Sequence, residues 1–182
     1  MTNIHISAPA DSGNIEVLNT ENASDIRLNI RPDEKAKFHQ WFYFRVTGAQ
    51  DQACQFTFEN AGEASYLGGW EDYRVCVSYD LDYWFRVDTT YKNGQLSFHH
   101  TPESQSVYYA YFAEMATSPL ADQIPIGATV DGEPLDLFRI GEPAPDKHNL
   151  WVIARQHPGE TMGAWWMEGF LPRMLDPGVA VA

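Results

Sequence analysis

Apolar and polar positions alternate in short runs along the first 112 residues. Asn14-Ile15-Glu16-Val17-Leu18 and Asp25-Ile26-Arg27-Leu28-Asn29-Ile30 repeat every second residue, the period of a strand that buries one face. Trp41-Phe42-Tyr43-Phe44-Arg45-Val46 is aromatic almost throughout and stops at Thr47-Gly48. Further runs follow at Gln55 to Phe58, Tyr73 to Ser78, Trp84 to Thr89, Gln95 to Phe98 and Val107 to Phe112. Asn93-Gly94 stands between two of them and is a strong two-residue hairpin signal. Many short strands at regular spacing predict an antiparallel β-sandwich over residues 1–112.

The pattern changes over residues 113–182. Ala116-Thr117-Ser118-Pro119 reads as a connector, and Ile126 to Val130 and Leu135 to Ile140 flank the hairpin signal Asp131-Gly132. Asn149 to Arg155 is a nearly continuous apolar run, as expected of a strand in a sheet covered on both faces. From Thr161, a candidate N-cap, the residues Met162, Trp165, Trp166, Phe170 and Met174 recur at helical spacing. Pro172 should kink or end that helix, because it cannot donate to the carbonyl of Glu168. This segment reads as the opening of an α/β domain.

Composition narrows the partners. The chain carries 25 Asp and Glu against 12 Lys and Arg, a net charge of −13. Nucleic acid needs clustered cations, so it is excluded as a partner, and the same surplus argues against an anionic membrane surface. No run approaches the roughly 20 apolar residues needed to span a bilayer, and Met1 to His5 shows no secretory signal. Cys54 and Cys76 form no CxxC pattern and read as buried free thiols of a cytoplasmic protein. The rings of Trp41, Phe42 and Phe44 could stack on sugars but read as core.

The chemistry concentrates in His157-Pro158-Gly159-Glu160, between the apolar run and the helix. Pro158 and Gly159 supply a turn, so the His157 imidazole and the Glu160 carboxylate converge beyond the end of a strand, where open α/β sheets bind ligands. Zinc takes neutral histidine nitrogen and carboxylate oxygen, with three protein ligands and an open position in catalytic sites. The reading without metal is a loop histidine followed by a glutamate favoured by the helix dipole. The other histidines carry less. His99 and His100 face opposite ways on a strand and read as surface positions. His148 lies at the far end of the apolar run, and His5 and His39 have no motif around them.

Ala154 to Thr161 followed by Glu168-Gly169-Phe170-Leu171, together with Gln40-Trp41-Phe42-Tyr43-Phe44, Asn60-Ala61-Gly62 and Tyr109-Ala110-Tyr111-Phe112, resembles the cytosolic carboxypeptidase-like group of M14 zinc metallocarboxypeptidases. The resemblance implies a β-sandwich N-terminal domain followed by the start of an α/β, mixed-sheet carboxypeptidase domain. It implies that His157 and Glu160 ligate zinc (Zn2+) and that the substrate is the C-terminus of a peptide or protein. It also implies a second histidine ligand, an arginine pocket for the substrate carboxylate and a late general-base glutamate. After Glu160 there is no histidine, and Glu168 is the one later glutamate. The expectation is therefore an N-terminal fragment or a truncated gene product, inactive alone.

Two other readings compete. One is a non-catalytic β-sandwich interaction module with a vestigial metal-binding turn. The other is an amidohydrolase of the acyl-amino-acid type, which shares the HxxE spacing but lacks the aromatic N-terminal domain.

Overall fold

The computed structural model describes residues 4–8, 14–32, 37–112, 122–130, 132, 134–142, 144–154, 156 and 160–175. The chain divides into two compact units, Met1–Glu114 and Met115–Ala182. In chain order the first unit holds β1 (His5–Ser7), β2 (Ile15–Asn19), β3 (Ile26–Ile30), β4 (Tyr43–Thr47) and β5 (Cys54–Phe58). It continues with β6 (Val75–Ser78), β7 (Trp84–Val87), β8 (Thr89–Lys92), β9 (Gln95–His100) and β10 (Ser106–Ala110). Two five-stranded sheets result, ordered β1-β4-β10-β6-β7 and β2-β3-β5-β9-β8. Every pairing is antiparallel except β3 with β5, which run parallel. The expected wholly antiparallel sandwich is corrected at that pair: β4 intervenes in the chain and belongs to the other sheet, so β5 re-enters beside β3 in the same direction.

Alternation explains the core. Cys54, Phe56 and Phe58 of β5 are buried while Gln55 and Thr57 are half-exposed. Phe56 stacks on Phe98 of β9 at 4.8 Å, and Phe44 of β4 stacks on Tyr109 of β10 at 5.2 Å. Aromatic pairs of this geometry add about 0.5–1.5 kcal/mol beyond their burial. The run from Trp41 to Val46 lacks alternation for a physical reason. Phe42 and Phe44 join the inter-sheet core, whereas Tyr43 packs with Cys76 and Ala110 in a second cluster flanked by Trp41, Trp84 and Tyr108. That sheet is apolar on both faces at its centre.

The run from Trp84 to Thr89, which reads as one strand, is two. β7 belongs to the first sheet and β8 to the second. The chain turns between them at Asp88, whose side chain is 97% exposed. Hydropathy does not register a change of sheet, because inward residues stay inward on both sides of the corner. Asn93 and Gly94 take φ of 53° and 81°, the two positive values that a type I′ hairpin requires.

The signature stretches of the sandwich are its joints. Asn60 caps the end of β3 by donating Nδ2 to Ile30 O (2.7 Å) and accepting Ile30 N at Oδ1 (2.9 Å). Trp70 Nε1 donates to Ala61 O at 2.9 Å. Gly62 N donates to Gly94 O at 2.6 Å, so the backbones meet where no Cβ fits. Gln40 Oε1 accepts from Tyr66 N at 2.7 Å, and Tyr111 N donates to Phe42 O at 2.8 Å. These bonds satisfy loop backbone that would otherwise lose hydrogen bonds on burial.

The second unit contains the hairpin of β11 (Asp122–Ala128) and β12 (Pro134–Arg139), and the helix α1 (Thr161–Leu175). Gly132 takes φ of 91° at the hairpin turn, and its N–H donates to Thr129 O at 3.0 Å. Two expectations change here. Residues 149–154 form no ladder, and Leu150, Trp151 and Ile153 are 81%, 69% and 70% exposed. A buried strand needs hydrogen-bonded neighbours on its edges, and among the described residues β11 and β12 pair only with each other. The helix neither stops at Pro172 nor just before it but runs on to Leu175. The fixed φ of proline is itself helical, so the loss is one backbone hydrogen bond near the helix end. The described fold is thus mostly β, and none of its helices is long and apolar enough to cross a membrane.

Candidate metal centre

Glu160 stands immediately before α1, and its carbonyl accepts from Gly163 N at 3.1 Å. It therefore holds the cap position expected for Thr161, which lies inside the helix. Its side chain is exposed, at the end of a 15-residue helix where unpaired N–H groups and the macrodipole favour an anion. Arg173 in the last turn complements the opposite pole. Trp166 stacks on Phe170 at 4.6 Å along the helix, which stiffens the element that presents Glu160.

His157, Pro158 and Gly159 lie outside the described residues, as does Arg155. The donor chemistry fits zinc: one imidazole and one carboxylate are both ligands that this metal takes. Among the described residues no group of three or more His, Cys, Asp or Glu side chains converges. What the described residues contribute is the exposed Glu160 carboxylate at the N-terminus of α1.

The remaining histidines have other surroundings. His5, His99 and His148 are exposed. His39 is half-buried, with its backbone N–H donating to Ser65 Oγ at 2.9 Å. His100 is not the surface residue expected. It follows Leu96 and Phe98 on the inward face of β9, and its ring meets Tyr109 Oη at Nδ1 (2.8 Å) and Tyr79 Oη at Nε2 (3.3 Å). Burial lowers its pKa below the usual 6.5, opposed by the nearby charge of Glu103. The period-two pattern of the strand carried that signal. Cys54 and Cys76 are both buried and outside any disulfide, and burial pushes the Cys54 thiol up to about 11.

A two-sheet sandwich closed by these joints, followed by a hairpin and an aromatic helix, is an arrangement with known relatives. The chain belongs to the cytosolic carboxypeptidase N-terminal domain family, whose sequence pattern matches residues 6–112. It is 40% identical over 98% of its length to an uncharacterized protein of Zymomonas mobilis, covering 49% of that protein. Among solved structures, a metallo-carboxypeptidase from Burkholderia cenocepacia is similar at 40% identity and a TM-score of 0.81, over 98% of this chain and 50% of that one. A metallo-carboxypeptidase from Pseudomonas aeruginosa, in complex with (2-guanidinoethylmercapto)succinic acid, matches at 38% identity and a TM-score of 0.80. That match covers 96% of this chain and 50% of the other. The chain spans about half the length of these relatives.

Proposed function

We propose that this chain is the N-terminal portion of a zinc-dependent metallocarboxypeptidase acting at the C-terminus of a peptide or protein in the cytoplasm. The observation that carries this reading is the match to a metallo-carboxypeptidase over 98% of the chain, well beyond the sandwich. Residues 1–112 form the sandwich domain, and residues 113–182 open the α/β carboxypeptidase domain.

In this reading His157 and Glu160 supply two of the zinc ligands. The metal, when bound, lowers the pKa of its water to about 7 and polarises the scissile carbonyl. The chain's own task is positional: Glu160 stands at the N-terminus of α1, and His157, three positions earlier in the sequence, is the proposed second ligand of the same ion. In this reading the third ligand, the arginine pocket and the general base are expected from the other half of the longer protein. The test joins this sequence to the second half of the Zymomonas relative and follows release of C-terminal residues from peptides. Zinc-dependent release that disappears in Glu160→Gln supports the assignment, and unchanged release in that variant removes Glu160 from the site.

A further inference from the structure

We propose that the corner between β7 and β8 is a binding site for a carboxylate group, held by the guanidinium of Arg86. The corner opens into a cleft of about 510 Å³ lined by Arg74, Arg86, Asp88, Thr90, Ser97 and His99 among others. Arg86 is exposed on β7 and donates Nη1 to Arg74 O at 2.6 Å. That bond uses one of the five guanidinium N–H donors and fixes the plane of the fork. No carboxylate of the described residues forms an ion pair with Arg86, although the chain has about two acids for every base. Arg27, by contrast, pairs with both Asp25 and Glu59.

Charge selects the ligand. Arg74 is compensated by Asp88 at 2.7 Å, which leaves one net positive charge from the two arginines and one aspartate. A single cation with a planar fork matches a singly charged, planar carboxylate, which Arg binds in two parallel hydrogen bonds. A doubly charged phosphate would leave one charge without a partner. Thr90 and Ser97, paired across β8 and β9, offer two hydroxyl donors beside the fork. The exposed imidazole of His99 completes the wall. The residues lining this cleft belong to the first unit, so the proposal does not rest on the zinc reading.

The experiment titrates the full chain, labelled with ¹⁵N, with acetate and separately with inorganic phosphate at low ionic strength. Acetate should shift the amides of Thr90, Ser97 and His99 to saturation in the millimolar range. Arg86→Gln should weaken that at least tenfold, and Arg45→Gln, which alters a cation seated over Tyr108, should leave it unchanged. Ser97→Glu should also abolish binding by giving Arg86 an internal carboxylate, and amide dispersion reports that each variant is folded. Equal shifts in the wild type and Arg86→Gln overturn the proposal, as does tighter saturation by phosphate than by acetate.

Discussion

His100 Nδ1 lies 2.8 Å from the hydroxyl of Tyr109, a residue with no exposed surface. Burial raises the Tyr109 pKa well above 10, so it remains an O–H donor at neutral pH. With Tyr109 as the donor, Nδ1 accepts and the ring proton sits on Nε2, facing Tyr79 Oη. Tyr79 Oη also accepts from the backbone N–H of Glu103 at 3.0 Å. Burial of the ring favours its neutral form in this arrangement.

Acid should therefore weaken the sandwich through His100. Its folded pKa is lowered, mainly by burial, so below the unfolded value of 6.5 the unfolded chain binds more protons than the folded one. The contribution is fully present above pH 6.5 and is lost as pH falls through the lowered folded pKa. Urea midpoints of the wild type should drop faster between pH 7 and 5 than those of His100→Gln, which keeps a polar group but cannot titrate. Parallel curves for the two proteins would show that His100 does not report burial.

Asn60 should be costly to replace. Asn60→Ala strips both Ile30 N and Ile30 O of their partners, a loss of about 1–3 kcal/mol for a part-buried pair. Urea denaturation of the two proteins measures the difference directly, and a change under about 0.5 kcal/mol would place the site among unremarkable surface positions.

Gly62 faces a harder limit. A Cβ there would stand 2.7 Å from Gly94 Cα, a backbone atom of the adjoining hairpin turn. Gly62→Ala must displace that turn and should cost about 1–3 kcal/mol, the usual range for forcing volume into a packed site. A fall in melting temperature accompanied by shifted amide signals at Asn93 and Gly94 is the expected outcome.

Cys54 should resist thiol reagents. Its pKa of about 11 leaves little thiolate at pH 8, and 1% exposure blocks access. Titration with an aromatic disulfide reagent should find Cys54 silent in the folded chain, and Cys76 too on its 2% exposure. Both should react in denaturant. Rapid labelling of the native protein would contradict the core described above.

Zinc should bind this chain weakly. If His157 and Glu160 are the ligands as proposed, two rather than three leave the ion largely hydrated, so isothermal titration should give a small heat that vanishes in His157→Ala and in Glu160→Gln. The melting of the sandwich, which contains neither residue, should not change in those variants. Identical heats in all three proteins would remove the metal assignment.

Period-two alternation and the Asn93-Gly94 turn were enough to determine that residues 1–112 fold as stacked sheets, because strand burial and hairpin twist are local consequences of sequence. The aromatic helix was equally readable, whereas His157 to Gly159 lie outside the described residues. What only the tertiary structure decided was which strands pair. The parallel placement of β5 beside β3, the change of sheet at Asp88 and the inward seat of His100 all depend on neighbours distant in sequence. Residues 149–154 show the same rule in reverse. An apolar run has strand propensity of its own, but a ladder exists only where other backbone groups arrive to complete its hydrogen bonds.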